Sequence, residues 1–167
     1  EVVDAVPRAT AADLDAALAA AGRAWKEWRE VDAWTRSAKV RRVADLFRER
    51  AARIAGVLTE EQGKTIPECL GEIRATADQF DWYADEARRI YGRVIDGHSR
   101  AQRLLVIRQP IGPVAAFAPW NFPALLSGRK IAPALAAGCS IIVKPPIEAP
   151  RTCLLMAEAC HNAEIPP

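Results

Sequence analysis

PVAAFAPWNFPALLSGRKIAPALAAGCSIIVKPPIEAP, residues 113–150, decides how this chain folds. Two short apolar runs, Val114–Ala118 and Ser140–Lys144, flank a stretch of helical character, and prolines and polar residues follow each run at once. That pattern predicts a strand, a helix over Ala124–Ala137 and a second strand, a βαβ unit with parallel strands and a right-handed crossover. The carboxyl ends of both strands then share one edge of the sheet, where ligands of open α/β sheets bind. Asn121 follows the first strand and Lys144 closes the second, so a neutral amide and a cation meet on that edge. Gly138 predicts the end of the crossover helix, and Pro133 a kink or an early break within it. After the Pro145-Pro146 loop, Arg151–Ala163 reads as a last helix.

Upstream, Thr10 and Asp13 form a capping-box pattern ahead of a helix over Ala11–Trp28, after an extended lead-in over Glu1–Arg8. Trp25 and Trp28 stand three apart and predict one inward face. Val40, Val43, Phe47, Ile54 and Val57 keep a helical period from Thr35 to Leu58. Their arginine-rich face, interleaved with Asp45 and Glu49, reads as a solvated surface rather than a nucleic-acid site. Gly63 closes that helix, and a third runs from Ile66 through Ile90 with Phe80, Trp82 and Tyr83 taken as core. At Gly92 the character changes. Arg93–Ile95, a turn at Asp96-Gly97 and Arg103–Arg108 read as a two-stranded ribbon, whose run Leu104-Leu105-Val106-Ile107 is apolar on both faces. Such a ribbon is unstable alone in water, so it predicts pairing with another subunit.

Composition limits the functions on offer. The 167 residues carry 23 Lys and Arg against 21 Asp and Glu, a net charge of +2. That field is too weak to draw nucleic acid or an anionic membrane, so neither partner is expected. No apolar run reaches membrane-spanning length. There is no secretory signal pattern and no starting Met. The four cysteines, at 69, 139, 153 and 160, lack CxxC spacing and read as buried free thiols of a cytoplasmic protein. A strand-helix-strand-helix run that stops at Ile165-Pro166-Pro167 cannot complete a doubly wound sheet, which predicts a fragment.

No GxGxxG, Walker motif or metal cluster is present, and His98 and His161 are too far apart in sequence to suggest a triad. The candidates are fewer. Asn121 suits an oxyanion donor, or a turn-forming or N-capping residue. Lys144 suits a ribose hydroxyl or phosphate, or is an ordinary strand-end lysine. Arg129 suits a bidentate grip on a carboxylate, or is surface charge.

Pro119-Trp120-Asn121-Phe122-Pro123, then Ala134-Leu135-Ala136-Ala137-Gly138-Cys139 and Val143-Lys144-Pro145, resemble the aldehyde dehydrogenase superfamily, and Glu61-Gln62-Gly63-Lys64 with Glu68 and Glu72 fits the same pattern. The resemblance spans nearly the whole chain. It implies the start of a Rossmann-like sheet: helical residues 1–91, an oligomerisation hairpin over 92–110 and a first βαβα over 111–167, with the catalytic domain absent. It implies oxidation of an aldehyde with NAD or NADP through a cysteine thioester. Asn121 matches the oxyanion-hole residue. Phe117, Ala118, Pro119 and Trp120 match the nicotinamide-side segment. Lys144 matches the lysine that takes the adenosine ribose or its 2′-phosphate, with Pro146 beside it. Phe122 matches an aromatic of the aldehyde tunnel. Arg129 stands where succinate-semialdehyde dehydrogenases grip a distal carboxylate. No metal is implied, and a homodimer or homotetramer is.

Two departures limit the match. Ile147 takes the place of a glutamate that binds ribose hydroxyls in many NAD-using members, so NADP use stays open. None of the four cysteines stands in the nucleophile motif, and the nucleophile and general base would lie beyond Pro167. The chain alone is therefore expected not to turn over. A truncated, non-catalytic nucleotide-binding or assembly module is the competing reading, and a CoA-acylating relative is a third.

Overall fold

The computed structural model describes residues 5–167, and the first four positions of the expected lead-in lie outside them. Helix α1 spans Ala11–Trp28, and its capping box is formed as the sequence predicts. The Thr10 amide and hydroxyl both donate to Asp13 at 2.7 Å. Only one of the two tryptophans turns fully inward. Trp28 is buried and its indole N–H donates to the Leu135 carbonyl at 2.9 Å, tying the first helix to the crossover helix. Trp25 is half-buried under the Arg29 guanidinium.

The single helix expected over residues 35–58 is two: α2, Ala33–Glu49, and α3, Ala51–Gln62. Arg50, between them, leaves the helical basin with φ −103° and ψ 12°. Its guanidinium shares Glu158 of the last helix with Arg53. An apolar period continues across such a break, so the period cannot reveal it. On α2, Arg41 and Arg48 reach Asp78, Asp81 and Asp85 of the helix over Ile66–Glu86. The basic face is thus spent partly on neighbouring carboxylates. Such exposed pairs contribute little each.

Gly63 ends α3 in the left-handed conformation, and a second capping box, Thr65 with Glu68, starts α4, Ile66–Glu86. A short 3-10 turn, Ala87–Arg89, replaces the last turn expected of that helix. Phe80 is fully buried and stacks on Phe47, with ring centroids 6.2 Å apart. Trp82 is 67% exposed, contrary to the core role expected of it. Residues 80 and 82 lie about 200° apart around a helix, so one faces α2 and the other solvent.

Strands β1, Arg93–Asp96, and β2, Arg103–Val106, pair antiparallel as a ribbon, Arg93 opposite Val106. The connection spans residues 97–102 and not a tight turn at Asp96-Gly97, and the second strand stops at Val106 short of Arg108. At Gly92 a Cβ would sit 2.2 Å from the Val106 carbonyl oxygen, so the ribbon closes only over glycine. All eight ribbon residues are exposed.

The βαβ unit is as expected. Strands β3, Val114–Phe117, and β4, Ile141–Lys144, run parallel, with Phe117 opposite Lys144 at their carboxyl ends. Helix α5, Pro123–Ala136, crosses between them and continues through Pro133. Proline there removes only the helical donor to the Arg129 carbonyl, at an exposed position that water can serve. Gly138, at φ +84°, turns the chain into β4. Helix α6, Pro150–Asn162, packs back on the helical layer. One core of Trp28, Val40, Val43, Phe47, Ile54, Leu58, Ile73, Phe80, Ile131, Leu135 and Met156 joins α1–α6. The chain is therefore a mixed α/β structure: six α-helices, an antiparallel ribbon and a parallel strand pair among the described residues.

Candidate active site

The register of the parallel pair sets the site. Phe117 and Lys144 face each other as the last residues of their strands, so the loops that follow, 118–122 and 145–149, leave the same edge. On that edge Phe117, Pro119, Trp120, Asn121, Phe122, Lys144 and Ile147 are all exposed, and Ala118 is half-buried. Three aromatic rings open to solvent within six residues form an apolar patch of the kind that marks a binding surface. Pro146 is buried and turns its loop inward.

The loop holding Asn121 is fixed from below by residues whose role the sequence reading left blank. The Gln62 side-chain amide donates to the Trp120 carbonyl at 2.6 Å. The Lys64 ammonium donates to the Asn121 carbonyl at 2.6 Å and to Glu72 at 2.8 Å, and sits 3.6 Å from the centre of the Phe122 ring. The other Glu72 oxygen accepts from the amides of Ala124 and Leu125, at 2.9 and 3.2 Å. A buried glutamate of α4 therefore caps α5. Phe122 occupies the N-cap position without offering a cap, so Asn121 is not the capping residue that its sequence position allowed. Its side chain makes no hydrogen bond among the described residues.

Helix α6 is capped in the same way. Glu61 accepts from the Arg151 and Thr152 amides at 2.5 and 3.0 Å and from the Thr152 hydroxyl at 2.8 Å. The run Glu61-Gln62-Gly63-Lys64 thus braces both loops of the sheet edge. Spacing alone could not reveal this, because the partners lie 57 to 91 residues away.

These caps bear on what the edge can hold. A helix N-terminus next to a parallel strand is a ready anion site. Here both such termini already carry a carboxylate, so neither offers itself to a pyrophosphate. The Lys144 ammonium is exposed, with no hydrogen bond or ion pair among the described residues. One free cation beside an apolar surface suits a ligand with an anionic or hydroxyl-bearing part and an apolar part.

Arg129 lies two turns into α5, exposed, and without an ion pair among the described residues. It is not the buried arginine that a finished carboxylate pocket would show, but its charge is unspent. Four thiols are free, and Cys69, Cys139 and Cys153 are buried. Burial raises the Cys153 thiol and pushes that of Cys160 up to about 12. A nucleophilic cysteine needs the opposite shift, so these two are structural. An apolar groove of about 600 Å³ lies elsewhere, between α1, β4 and α6, and contains neither Asn121 nor Lys144. Among the described residues no cluster of histidine, cysteine or acidic side chains could hold a metal, and no helix is long and apolar enough to cross a membrane.

Comparison with known proteins finds matches in sequence and in fold. The family model described as "Aldehyde dehydrogenase family" matches residues 1–167. A glutarate-semialdehyde dehydrogenase of Pseudomonas putida is 46% identical over 166 residues, which cover 99% of this chain and 35% of that protein. The 4-(hydroxymethyl)benzenesulfonate dehydrogenase TsaD1 of Comamonas testosteroni is 47% identical over 167 residues, 100% of this chain and 35% of that one. The crystal structure of a succinate-semialdehyde dehydrogenase from Burkholderia pseudomallei superposes with a TM-score of 0.96 at 41% identity, over 99% of this chain and 34% of that one. The chain spans about a third of the length of the relatives it matches.

Proposed function

This chain belongs to the aldehyde dehydrogenase family, and from that premise we propose that it supplies the cofactor edge and oxyanion donor of an enzyme that oxidises a short semialdehyde acid to the dicarboxylic acid. The observation that carries the reading is the shared carboxyl edge of β3 and β4, where Phe117 and Lys144 are register partners and Asn121 follows directly.

When bound, NAD or NADP accepts the hydride. Lys144 binds the adenosine ribose or its 2′-phosphate, and Pro146 shapes the loop beside it. Phe117, Ala118, Pro119 and Trp120 line the nicotinamide side and keep water from it. Phe122 lines the path of the aldehyde. A cysteine supplied by a part of the enzyme outside this chain adds to the carbonyl carbon, and the Asn121 amide N–H stabilises the oxyanion that forms. Loss of hydride leaves a thioester, which water hydrolyses. Ile147, 80% exposed, offers no carboxylate to the ribose at its own position, and Glu148 comes one later, so NADP is accepted as well as NAD.

Arg129 sets the substrate class. The names of the three relatives describe compounds that carry an anionic group away from the reacting carbon, a carboxylate or a sulfonate. An arginine with no protein partner is suited to such a group. Arg129→Leu is expected to lower the preference for succinic semialdehyde over propanal by about 10- to 100-fold, the value of one charge-assisted bidentate contact. Ratios of kcat/KM for the two aldehydes measure it. An unchanged ratio removes Arg129 from the substrate site.

The ribbon over 92–110 joins copies of the protein into a dimer or tetramer. Val94 and Leu105 are register partners, each 71% exposed. Changing both to lysine is expected to shift the assembly toward monomer in sedimentation velocity, and an unmoved distribution would place the interface elsewhere. Free thiols at all four cysteines fit a reducing compartment such as the cytoplasm. The competing reading, a non-catalytic module of the same fold, predicts cofactor binding without turnover.

A further inference from the structure

We infer that Lys64 and Glu72 are positioning residues for the oxyanion donor: the ion pair, its carboxylate buried and its ammonium half-buried, fixes loop 120–122 from beneath, and Asn121 acts only while it is held there. The inference rests on the role proposed for Asn121.

The geometry is unusual for a pair that serves stability alone. The Glu72 side chain is 1% exposed and that of Lys64 20%. Burying an ion pair rarely stabilises a fold more than apolar packing would. A local Ser, Thr or Asp at position 122 would cap α5 more simply. Instead Phe122 stands there, and the cap comes from a carboxylate 52 residues back in the chain. The pair satisfies the carbonyl of Asn121 itself and two amides three and four residues after it. Glu72 holds the amides of Ala124 and Leu125 on one side. Lys64 holds the carbonyl of Asn121 and faces the ring of Phe122. Gln62 adds the carbonyl of Trp120. Backbone groups from residue 120 to residue 125 are thus tied to one short segment and one helix. The Asn121 side chain is left free of protein partners, as a donor reserved for substrate must be.

The test uses the catalytically active protein that carries this chain and three variants: Asn121→Ala, Lys64→Met with Glu72→Gln, and all three substitutions together. The paired substitution removes both charges, so no buried ion is stranded, and its thermal midpoint reports any general loss of fold. The expected result is a fall in kcat of at least about 10-fold with the cofactor KM within about 3-fold, the signature of a contact made only in the transition state. In a protein already carrying Asn121→Ala, the same pair should cost less than about 3-fold, because groups acting through one residue are not additive. Hydrogen exchange should quicken at the Ala124 and Leu125 amides, whatever the activity. Unchanged kcat, a loss that multiplies fully on that of Asn121→Ala, or unaltered exchange would each overturn the inference. Should the pair prevent folding, Gln62→Leu replaces it, with a smaller fall in kcat and the same dependence on Asn121. If Asn121→Ala alone leaves kcat untouched, the oxyanion role fails instead, and exchange still decides whether the pair holds the loop.

Discussion

Asn121→Ala is expected to lower kcat by about 10²- to 10³-fold, the usual loss when one oxyanion donor is removed. The cofactor KM should move little. Asn121 sits on the loop after β3, exposed on the sheet edge, and its backbone is held by Lys64. The side chain therefore plays no part in capping α5 or in the core, and its removal leaves a folded protein. That separation makes the substitution informative. Loss of kcat without loss of thermal midpoint assigns the side chain to the reaction, and steady-state kinetics with a melting curve measures both. A fall in stability with kcat per folded molecule unchanged would return Asn121 to a turn-forming role.

The second large effect is on the fold. Phe80→Ala is expected to cost about 3–5 kcal/mol, the range for a buried aromatic whose cavity cannot collapse. Phe80 is fully buried between α4 and α2, stacked on Phe47, and a Cβ built at Gly128 of α5 would lie 3.5 Å from its ring. It therefore joins three helices at one point. Trp82→Ala, two residues along and 67% exposed, should stay within about 0.5 kcal/mol, as surface changes do. Denaturant midpoints of the two variants give the comparison. Equal losses would mean that Trp82 is covered in the folded protein.

That contrast also marks how far the sequence could be read. The strands after Pro113, the crossover helix and their parallel sense followed from short apolar runs between prolines, a strong local signal. Thr10, Gly63 and Gly138 announced their helix ends, because capping chemistry is local. What the sequence could not disclose was fixed across distance. The break at Arg50 goes with a shared Glu158 more than 100 residues on. The burial of Phe80 and exposure of Trp82 depend on where α2 lies. Lys64 and Glu72 belonged to a family pattern, but their place under Asn121 emerges only when α3, α4 and α5 meet. The site candidates themselves, Asn121, Lys144 and Arg129, were legible as residue types at strand ends and on a helix. Their alternatives stayed open because a cap, a strand-end lysine and a surface arginine use the same letters. The structure closes the first of these, since Glu72 and not Asn121 caps α5.

Whether this sheet edge serves aldehyde oxidation is tested most directly by turnover of succinic semialdehyde by the protein that carries this chain. Reduced cofactor and dicarboxylic acid are followed together, with NAD and with NADP. One reduced nicotinamide per acid formed is expected, with activity that falls on Asn121→Ala. Binding of either cofactor without any reduction would contradict it and leave the chain a nucleotide-binding module.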